Sequence, residues 1–206
     1  MARTIGSDGE KTQAAIHVAA RRLIAKVGYE AMSMRQLAEK VGVQAAALYR
    51  YHPTKQELLF AVMRDHMDRL LAAWRTESQT LTTPLERLAA FIRFHIRYHV
   101  ERRDDVHIAN MELRSLQGDK LAILVELRAV YENELRLILE AGSASGQFDI
   151  DDIPLTTRAI IAMTTGVNVW FRPDDRLTVT QIAEKYVTMG LRLVGAKNVT
   201  TKDMGE

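Results

Sequence analysis

Apolar residues recur along this chain every three to four positions, and no convincing stretch alternates between apolar and polar as a half-buried strand does. This spacing is typical of amphipathic helices. The pattern predicts helices at about residues 10–27, 34–40, 44–51, 54–76, 84–102, 105–116, 119–141, 154–171 and 179–194. We therefore predict an all-α fold of about nine helices.

Local signals divide the front of the chain into short helices. Ser33 and Thr54 each precede a helix, and Gln36 and Glu57 follow them by three residues, which is the spacing of a capping box. Gly42 separates the second and third helices, where a tight turn favours a positive φ. Two short helices joined by a glycine turn predict a helix-turn-helix, whose second helix can enter a DNA major groove.

These elements predict two domains between short tails. The helix beginning at Thr54 is long enough to link the front module to the rest of the chain. The predicted organisation is a disordered tail at 1–9, a three-helix helix-turn-helix domain at 10–56, a larger helical domain at 57–196 and a disordered tail at 197–206.

Composition excludes several classes of protein. The 206 residues are 47% hydrophobic and 26% charged, the balance of an ordinary globular chain. The absence of cysteine excludes disulfide scaffolds, thiolate zinc sites and cysteine nucleophiles. No apolar run approaches the length of a transmembrane helix, and the first residues lack the apolar core of a signal peptide. We therefore expect a cytoplasmic protein.

The charge is unevenly distributed. Residues 1–56 hold nine Lys/Arg against four Asp/Glu, a net charge of +5, whereas the whole chain carries only +2. A basic front segment on a mildly acidic remainder favours a polyanionic partner for the front segment alone.

The motifs of this segment carry a resemblance. The chain reads AARRLIxxxGY from Ala19, SMRQLAxxVGV from Ser33 and ALYRYHPTKQELL from Ala47. Over residues 16–59 it resembles, without a gap, the TetR family of bacterial transcriptional regulators. Similar sequences usually read Tyr-x-His-Phe-Pro-Ser-Lys, whereas here Tyr51 stands at the customary His and His52 at the customary Phe. This departure makes His52 an unusual packing residue and prevents an operator sequence from being borrowed.

The candidate DNA contacts follow from helix geometry and agree with the resemblance. Thr54 and Lys55 lie at a helix N-terminus, where backbone N–H groups and the lysine charge favour a phosphate. Tyr49 can donate its hydroxyl to a phosphate, and Arg50 can contact a guanine edge or a phosphate. Tyr49 as a packing aromatic and Arg50 as a solvated charge remain alternatives. The predicted DNA-binding set is Ser33, Arg35, Gln44, Ala45, Ala46, Tyr49, Arg50, Tyr51, Thr54 and Lys55.

The resemblance implies that the larger domain binds a ligand and forms a dimer. The last two helices are too apolar to bury all their surface in one small domain, which favours a two-fold interface. In the family these helices from two subunits form a four-helix bundle, and Gly166 would allow close helix approach. The predicted interface residues are Gly166, Val167, Trp170, Tyr186, Leu191 and Val194.

The segment WFRPDDRL at 170–177 resembles a branch of the family that regulates fatty-acid or steroid catabolism and responds to acyl-CoA thioesters. An acyl-CoA would need an apolar tunnel and cations for its phosphates. The predicted pocket residues are Leu88, Ile92, His95, His99, Ile108, Met111, Leu127, Tyr131 and Met163. The candidate cations are Arg93, Arg97, Arg102, Arg103 and Arg114, and the alternative is plain core and solvated arginine faces.

Three histidines raise the question of a metal. His95 and His99 are four residues apart on one helix, and His107 follows shortly after. A helical His-x-x-x-His pair binds zinc only with a third ligand, and the sequence fixes none. We expect structural histidines or pocket hydrogen-bond donors, and predict neither a metal nor a cofactor apart from a small-molecule effector.

The sequence therefore predicts a dimeric DNA-binding transcriptional regulator, in the first place a repressor. A small apolar or acyl-CoA ligand would move the long helix at 54–76 and spoil the spacing for two half-sites of a palindrome. The alternatives are a helical-bundle enzyme and a DNA-binding module without a ligand. The chain lacks a paired Glu-x-x-His motif, a Gly-rich phosphate loop and a G-x-S-x-G motif, so we predict that it is not an enzyme.

Overall fold

A computed structural model describes residues 7–197, and the regular structure in that range is entirely helical. The predicted all-α class is therefore confirmed there. The elements are α1 (Ser7–Val27), α2 (Met34–Val41), α3 (Ala45–Tyr51), α4 (Lys55–Ser78), α5 (Pro84–Glu101), α6 (Arg103–Met111), a 3-10 turn (Leu113–Ser115), α7 (Gly118–Ala144), α8 (Ile153–Trp170) and α9 (Val179–Leu193).

Most helix ends fall within two residues of the prediction, and three differ more. α1 begins three residues early, and α7 runs three residues past its predicted end. The predicted helix at 105–116 is instead α6 followed by the 3-10 turn, because the N–H groups of Ser115 and Leu116 bond to the carbonyls three residues back. The predicted disordered tails at 1–9 and 197–206 lie mostly outside the described residues.

The chain forms two compact units, and the first comprises the described residues up to Asp68 together with Asp104–Glu126. In it α2 packs against both α1 and α3. Gly42 ends α2 with φ +75°, and its backbone N–H bonds to carbonyls of the last turn, as predicted for this glycine. The fully buried side chains that form the core of this unit include Ile16, Leu37, Leu48, Leu58 and Leu59.

The second unit comprises Arg69–Arg103 and the described residues from Leu127 onward. α5 packs against α8 and α9. Trp74 at the end of α4 lies edge-on to Phe91 of α5, with ring centroids 5.0 Å apart. α4 and α7 each pass from one unit into the other, whereas the predicted domain boundary lies at residue 56; that boundary remains a prediction.

Candidate nucleic-acid interface

The N-terminus of α2 is a capped and exposed helix end. The Ser33 side chain accepts a hydrogen bond from the Gln36 N–H at 3.1 Å, and the Gln36 side chain accepts one from the Ser33 N–H at 3.0 Å, so the predicted capping box is present. Arg35 is exposed and pairs with Glu39 at 3.2 Å. Because such a surface pair is weak, the Arg35 guanidinium can exchange it for a phosphate.

α3 buries one side and exposes the other. Leu48 is fully buried and fixes the helix on the core. Tyr49 is 48% exposed, so about half of its surface is accessible to a partner. Around it, Gln44, Ala46 and Arg50 are exposed, while Ala45 and Tyr51 are half-buried. The exposed side of α3 is thus polar or small, a surface that a major groove can accept.

The N-terminus of α4 holds two more of the predicted DNA contacts, Thr54 and Lys55. Thr54 is exposed, and its hydroxyl accepts a hydrogen bond from the Glu57 N–H at 3.0 Å. Lys55 is half-buried: its Nζ donates to the carbonyl of Glu30 at 3.1 Å and lies 4.2 Å from the centre of the Tyr29 ring. The lysine charge is therefore held at the N-terminus of α4, next to the turn between α1 and α2.

His52 ends α3 and is only 4% exposed. Its Nε2 lies 3.2 Å from the Nε2 of His17 on α1, so one neutral ring donates to the other. Burial lowers the pKa of His52, and the positive charge that His17 can carry lowers it further, while the Glu57 carboxylate acts in the opposite direction. The unusual His52 is thus a packing residue, as the sequence indicates, and it pairs with another histidine.

Sequence reasoning missed four residues that connect this region to a distant segment. The Tyr29 N–H donates to Glu112 Oε1 at 3.0 Å, and Ser115 Oγ donates to Glu112 Oε2 at 3.0 Å. The Gln56 amide donates to the Ser115 carbonyl at 2.6 Å and to the Tyr29 hydroxyl at 3.2 Å. Burial raises the pKa of Tyr29. No sequence signal identifies these contacts, because 83 positions separate Tyr29 from Glu112.

In the second unit, predicted pocket residues surround a buried histidine. His95 is 1% exposed; its Nδ1 lies 3.1 Å from the Tyr131 hydroxyl and its Nε2 lies 2.8 Å from Thr165 Oγ1. The His99 ring stacks on it, with centroids 3.8 Å apart. Burial holds the pKa of His95 well below its usual value, and the positive charge that His99 can carry adds to this shift. His95 is therefore a neutral, hydrogen-bonded member of the core.

The other predicted pocket residues are spread over both units. Leu88 and Ile92 are buried in the second unit, where Leu127 and Met163 are half-buried. The remaining two lie on α6 in the first unit, where Ile108 is buried and Met111 is 49% exposed.

Most of the candidate cations have partners within the chain. The Arg93 guanidinium bonds to both carboxylate oxygens of Glu184, at 2.6 and 2.8 Å. Arg103 donates to the carbonyls of Asn168 and Phe171 at 2.9 and 2.8 Å. Arg97 pairs with Glu77, Arg102 pairs with Glu101, and Arg114 is exposed.

Three of the predicted interface residues are buried within the single chain. Val167, Leu191 and Val194 are 0%, 4% and 0% exposed, so their side chains pack in its core. Gly166 and Tyr186 are half-buried, and Trp170 is 47% exposed. The large apolar side chains that α8 and α9 do expose are Leu155, Val169, Trp170, Met189 and Leu193.

In residues 7–197, no group of three or more His, Asp or Glu side chains is arranged to hold a metal ion. Within the same range, no helix combines the length and the apolar character needed to cross a bilayer.

Together, the capped N-termini of α2 and α4 and the exposed face of α3 define a helix-turn-helix protein that binds DNA. Residues 16–62 match the family model of bacterial regulatory proteins, tetR family, and residues 81–194 match the tetracyclin repressor-like C-terminal domain. The chain belongs to the TetR family of transcriptional regulators. The predicted regulator is thereby confirmed over the helical-bundle enzyme.

Individual members of the family are similar to this chain over most of its length. The HTH-type transcriptional repressor KstR2 of Mycolicibacterium smegmatis is 29% identical over 175 residues, which are 84% of this chain and 85% of the relative. A tetR-family regulatory protein from Rhodococcus RHA1 has 29% identity and a TM-score of 0.86, over 91% of this chain and 99% of that structure. AibR, solved with isovaleryl coenzyme A and operator DNA, has 29% identity and a TM-score of 0.81, over 90% of this chain and 100% of that structure.

Proposed function

We propose that this protein is a dimeric repressor that leaves a palindromic operator when a small apolar or acyl-CoA effector binds. The observation that carries the proposal is the exposed face of α3 between the capped N-termini of α2 and α4. Two relatives support it: KstR2 is a repressor, and AibR binds both operator DNA and an acyl coenzyme A. Because DNA lies in the cytoplasm of a bacterium, the proposal assigns the protein to the cytoplasm.

The proposed DNA contacts divide into two kinds. Ser33, Arg35, Tyr49, Thr54 and Lys55 contact phosphates, which set the register of the protein on the duplex. The groove-facing residues are Gln44, Ala45, Ala46, Arg50 and Tyr51, which read base edges or thymine methyl groups.

The proposed dimer uses the exposed side of α8 and α9. Leu155, Ala159, Ala162, Gly166 and Val169 follow one another at intervals of four, three, four and three residues, so they lie on one face of α8. Leu155 and Val169 are 65% and 74% exposed, and the residues between them are small. Small residues let two helices approach closely, which fits a helix from a second copy on this face.

The proposed effector binds at the predicted pocket residues of the second unit, which lie on α5, α7 and α8. An acyl chain suits the apolar members of the predicted pocket in this unit, Leu88, Ile92, Leu127 and Met163. Because the effector must favour the state that does not bind DNA by several kcal/mol, it acts by changing the spacing of the two α3 helices.

A selection experiment tests the DNA assignment. Wild-type protein incubated with random-sequence duplexes is expected to enrich a palindrome whose half-sites are about one helical turn apart. Tyr49→Ala combined with Lys55→Ala is expected to abolish binding to that palindrome while the dimer and its melting temperature persist. Enrichment of no sequence, or full binding by the double variant, contradicts the assignment.

A release experiment tests the effector class. Acyl coenzyme A thioesters of increasing chain length are added to the protein bound to the selected duplex, with coenzyme A alone and the matching free acids as controls. At least one thioester is expected to release the DNA while coenzyme A alone does not. Release by the free acids alone would exclude the thioester and favour the small apolar effector.

A further inference from the structure

The turn between α1 and α2 is tied to the 3-10 turn by a closed ring of hydrogen bonds that uses both side chains and backbone groups. Tyr29 bonds to Glu112, Glu112 to Ser115, Ser115 to Gln56, and Gln56 back to Tyr29, all at distances from 2.6 to 3.2 Å. The Tyr29 side chain is 4% exposed, so the ring is anchored in the core. A satisfied polar network of this kind fixes the relative positions of the segments that it joins.

Lys55, a candidate contact for a DNA phosphate, lies next to this hydrogen-bonded ring. Lys55 precedes Gln56, and its Nζ lies over the Tyr29 ring and donates to the Glu30 carbonyl. A lysine side chain has a flexible four-carbon stem, and ordering it on DNA costs entropy. The aromatic face and the carbonyl hold the stem before DNA arrives, so less entropy is lost when the ammonium meets a phosphate.

Glu112 connects the hydrogen-bonded ring to α6. The Glu112 N–H donates to the carbonyl of Ile108 at 2.9 Å, so Glu112 continues the backbone bonding of that helix. Ile108 and Met111, both predicted to line the effector pocket, precede Glu112 by four residues and by one. Lys120, in the first turn of α7, pairs with Glu57 of α4 at 2.8 Å. A displacement of α6 therefore moves Glu112 directly.

We propose that Tyr29 positions Lys55 for an operator phosphate, and that Glu112 makes this position depend on α6. The inference rests on the proposed function and adds to it the residues of the first unit that make the DNA contact depend on α6. Glu112 and Tyr29 act through Lys55 and do not touch DNA themselves. When α6 moves, the Tyr29 N–H loses its acceptor, the aromatic support shifts and the lysine is no longer held for the phosphate.

The test is a double-mutant cycle on DNA binding against salt, with the duplex selected by the wild-type protein. Lys55→Gln is expected to reduce the slope of log affinity against log salt by about 1.8 per dimer, since each lost phosphate contact contributes about 0.9. Glu112→Ala is expected to reduce the slope in the same direction. In the Lys55→Gln background, Glu112→Ala is expected to change neither affinity nor slope further.

Two more variants separate positioning from general damage. Glu112→Gln keeps an amide oxygen that accepts from the Tyr29 N–H, so we expect it to retain the wild-type slope. Gln56→Met removes the two hydrogen bonds that the Gln56 amide donates and leaves α6 unchanged. We expect it to reduce the salt slope as Glu112→Ala does. It therefore keeps the inference testable if Glu112→Ala folds poorly. Circular dichroism and the dimer mass are recorded for every variant.

The outcomes separate this inference from the proposed function. Wild-type protein that selects no duplex would overturn the proposed function. If wild-type protein binds with a steep salt slope, three results each overturn the inference alone. These are additive effects of Glu112→Ala and Lys55→Gln, a wild-type slope in both Glu112→Ala and Gln56→Met, and tighter binding by either of those two variants.

Discussion

Two buried imidazoles, His52 in the first unit and His95 in the second, are neutral in the folded protein. Each has a hydrogen-bonding partner, His17 for the first and Tyr131 with Thr165 for the second. Burial lowers the pKa of both rings, because the charged form loses its hydration. In the unfolded chain each histidine binds a proton near the ordinary histidine pKa, so low pH stabilises the unfolded chain relative to the folded one.

We therefore expect the free energy of unfolding to decrease as the pH falls below about 6.5, the ordinary pKa of histidine. Above that value both rings are neutral in the folded and unfolded chain, and the stability is fully present. Below that pH the two histidines bind protons in the unfolded chain but stay neutral in the folded chain. The stability therefore falls until the pH reaches the lowered pKa values of the folded protein. Urea unfolding between pH 7.5 and 5.5, above the range of most carboxylates, measures the decrease. His52→Phe, which restores the residue customary in similar sequences, is expected to lessen it, and an unchanged pH dependence would contradict this account.

At the scale of elements, the helices with strong local signals are the ones that the sequence predicts closely. Complete capping boxes are formed by Ser33 with Gln36 and by Thr178 with Gln181. Two residues three positions apart therefore specify where each of these helices begins. The 3-10 turn after α6 follows Glu112, whose partner Tyr29 is 83 positions away in the sequence and meets it only in the folded chain. The same difference applies to the site, because the contacts on α2, α3 and α4 follow from local helix geometry, whereas the ring that ties Gln56 to Ser115 does not.

The end of α7 shows how a tertiary contact extends a helix beyond its predicted end. The helix continues through Gly142, and Phe148 folds back onto that glycine, its N–H bonding to the Gly142 carbonyl at 3.0 Å. A Cβ at position 142 would lie 2.0 Å from Phe148 Cδ2, closer than any real contact. The absence of a side chain at Gly142 therefore makes room for the aromatic ring.

Gly142→Ala is expected to destabilise the protein even though alanine is the better helix former. Overpacking costs about 1–3 kcal/mol, whereas the gain in helix propensity is about 0.8–1.0 kcal/mol. Chemical denaturation measures the difference. In a Phe148→Ala background the clash is absent, and the same Gly142→Ala change is expected to be neutral or stabilising. A loss of similar size in both backgrounds would show that Phe148 is not the cause.

At the scale of the whole molecule, the proposed function depends on two copies held at a fixed span. A monomer presents one α3 helix to DNA, and a palindrome read by one half-site loses half of its phosphate contacts. The apolar residues buried in α8 and α9, such as Val167 and Leu191, stabilise each chain, so the proposed association depends on different side chains of the same helices. This separation makes it possible to disrupt the dimer without disrupting the fold.

Val169→Glu is expected to convert the protein to a monomer that keeps its helical content. Val169 is 74% exposed in the single chain, so a carboxylate there costs the fold little, whereas burying it against a second copy without a partner is unfavourable. Sedimentation velocity measures the mass, and DNA binding against salt is expected to give a slope about half that of wild-type protein. Leu137→Glu on α7 is the matched control, because Leu137 is 51% exposed and lies outside the proposed face. If Val169→Glu remained a dimer with an unchanged slope, the exposed face of α8 would not be the interface, and the span of the two α3 helices would have to be set by another surface.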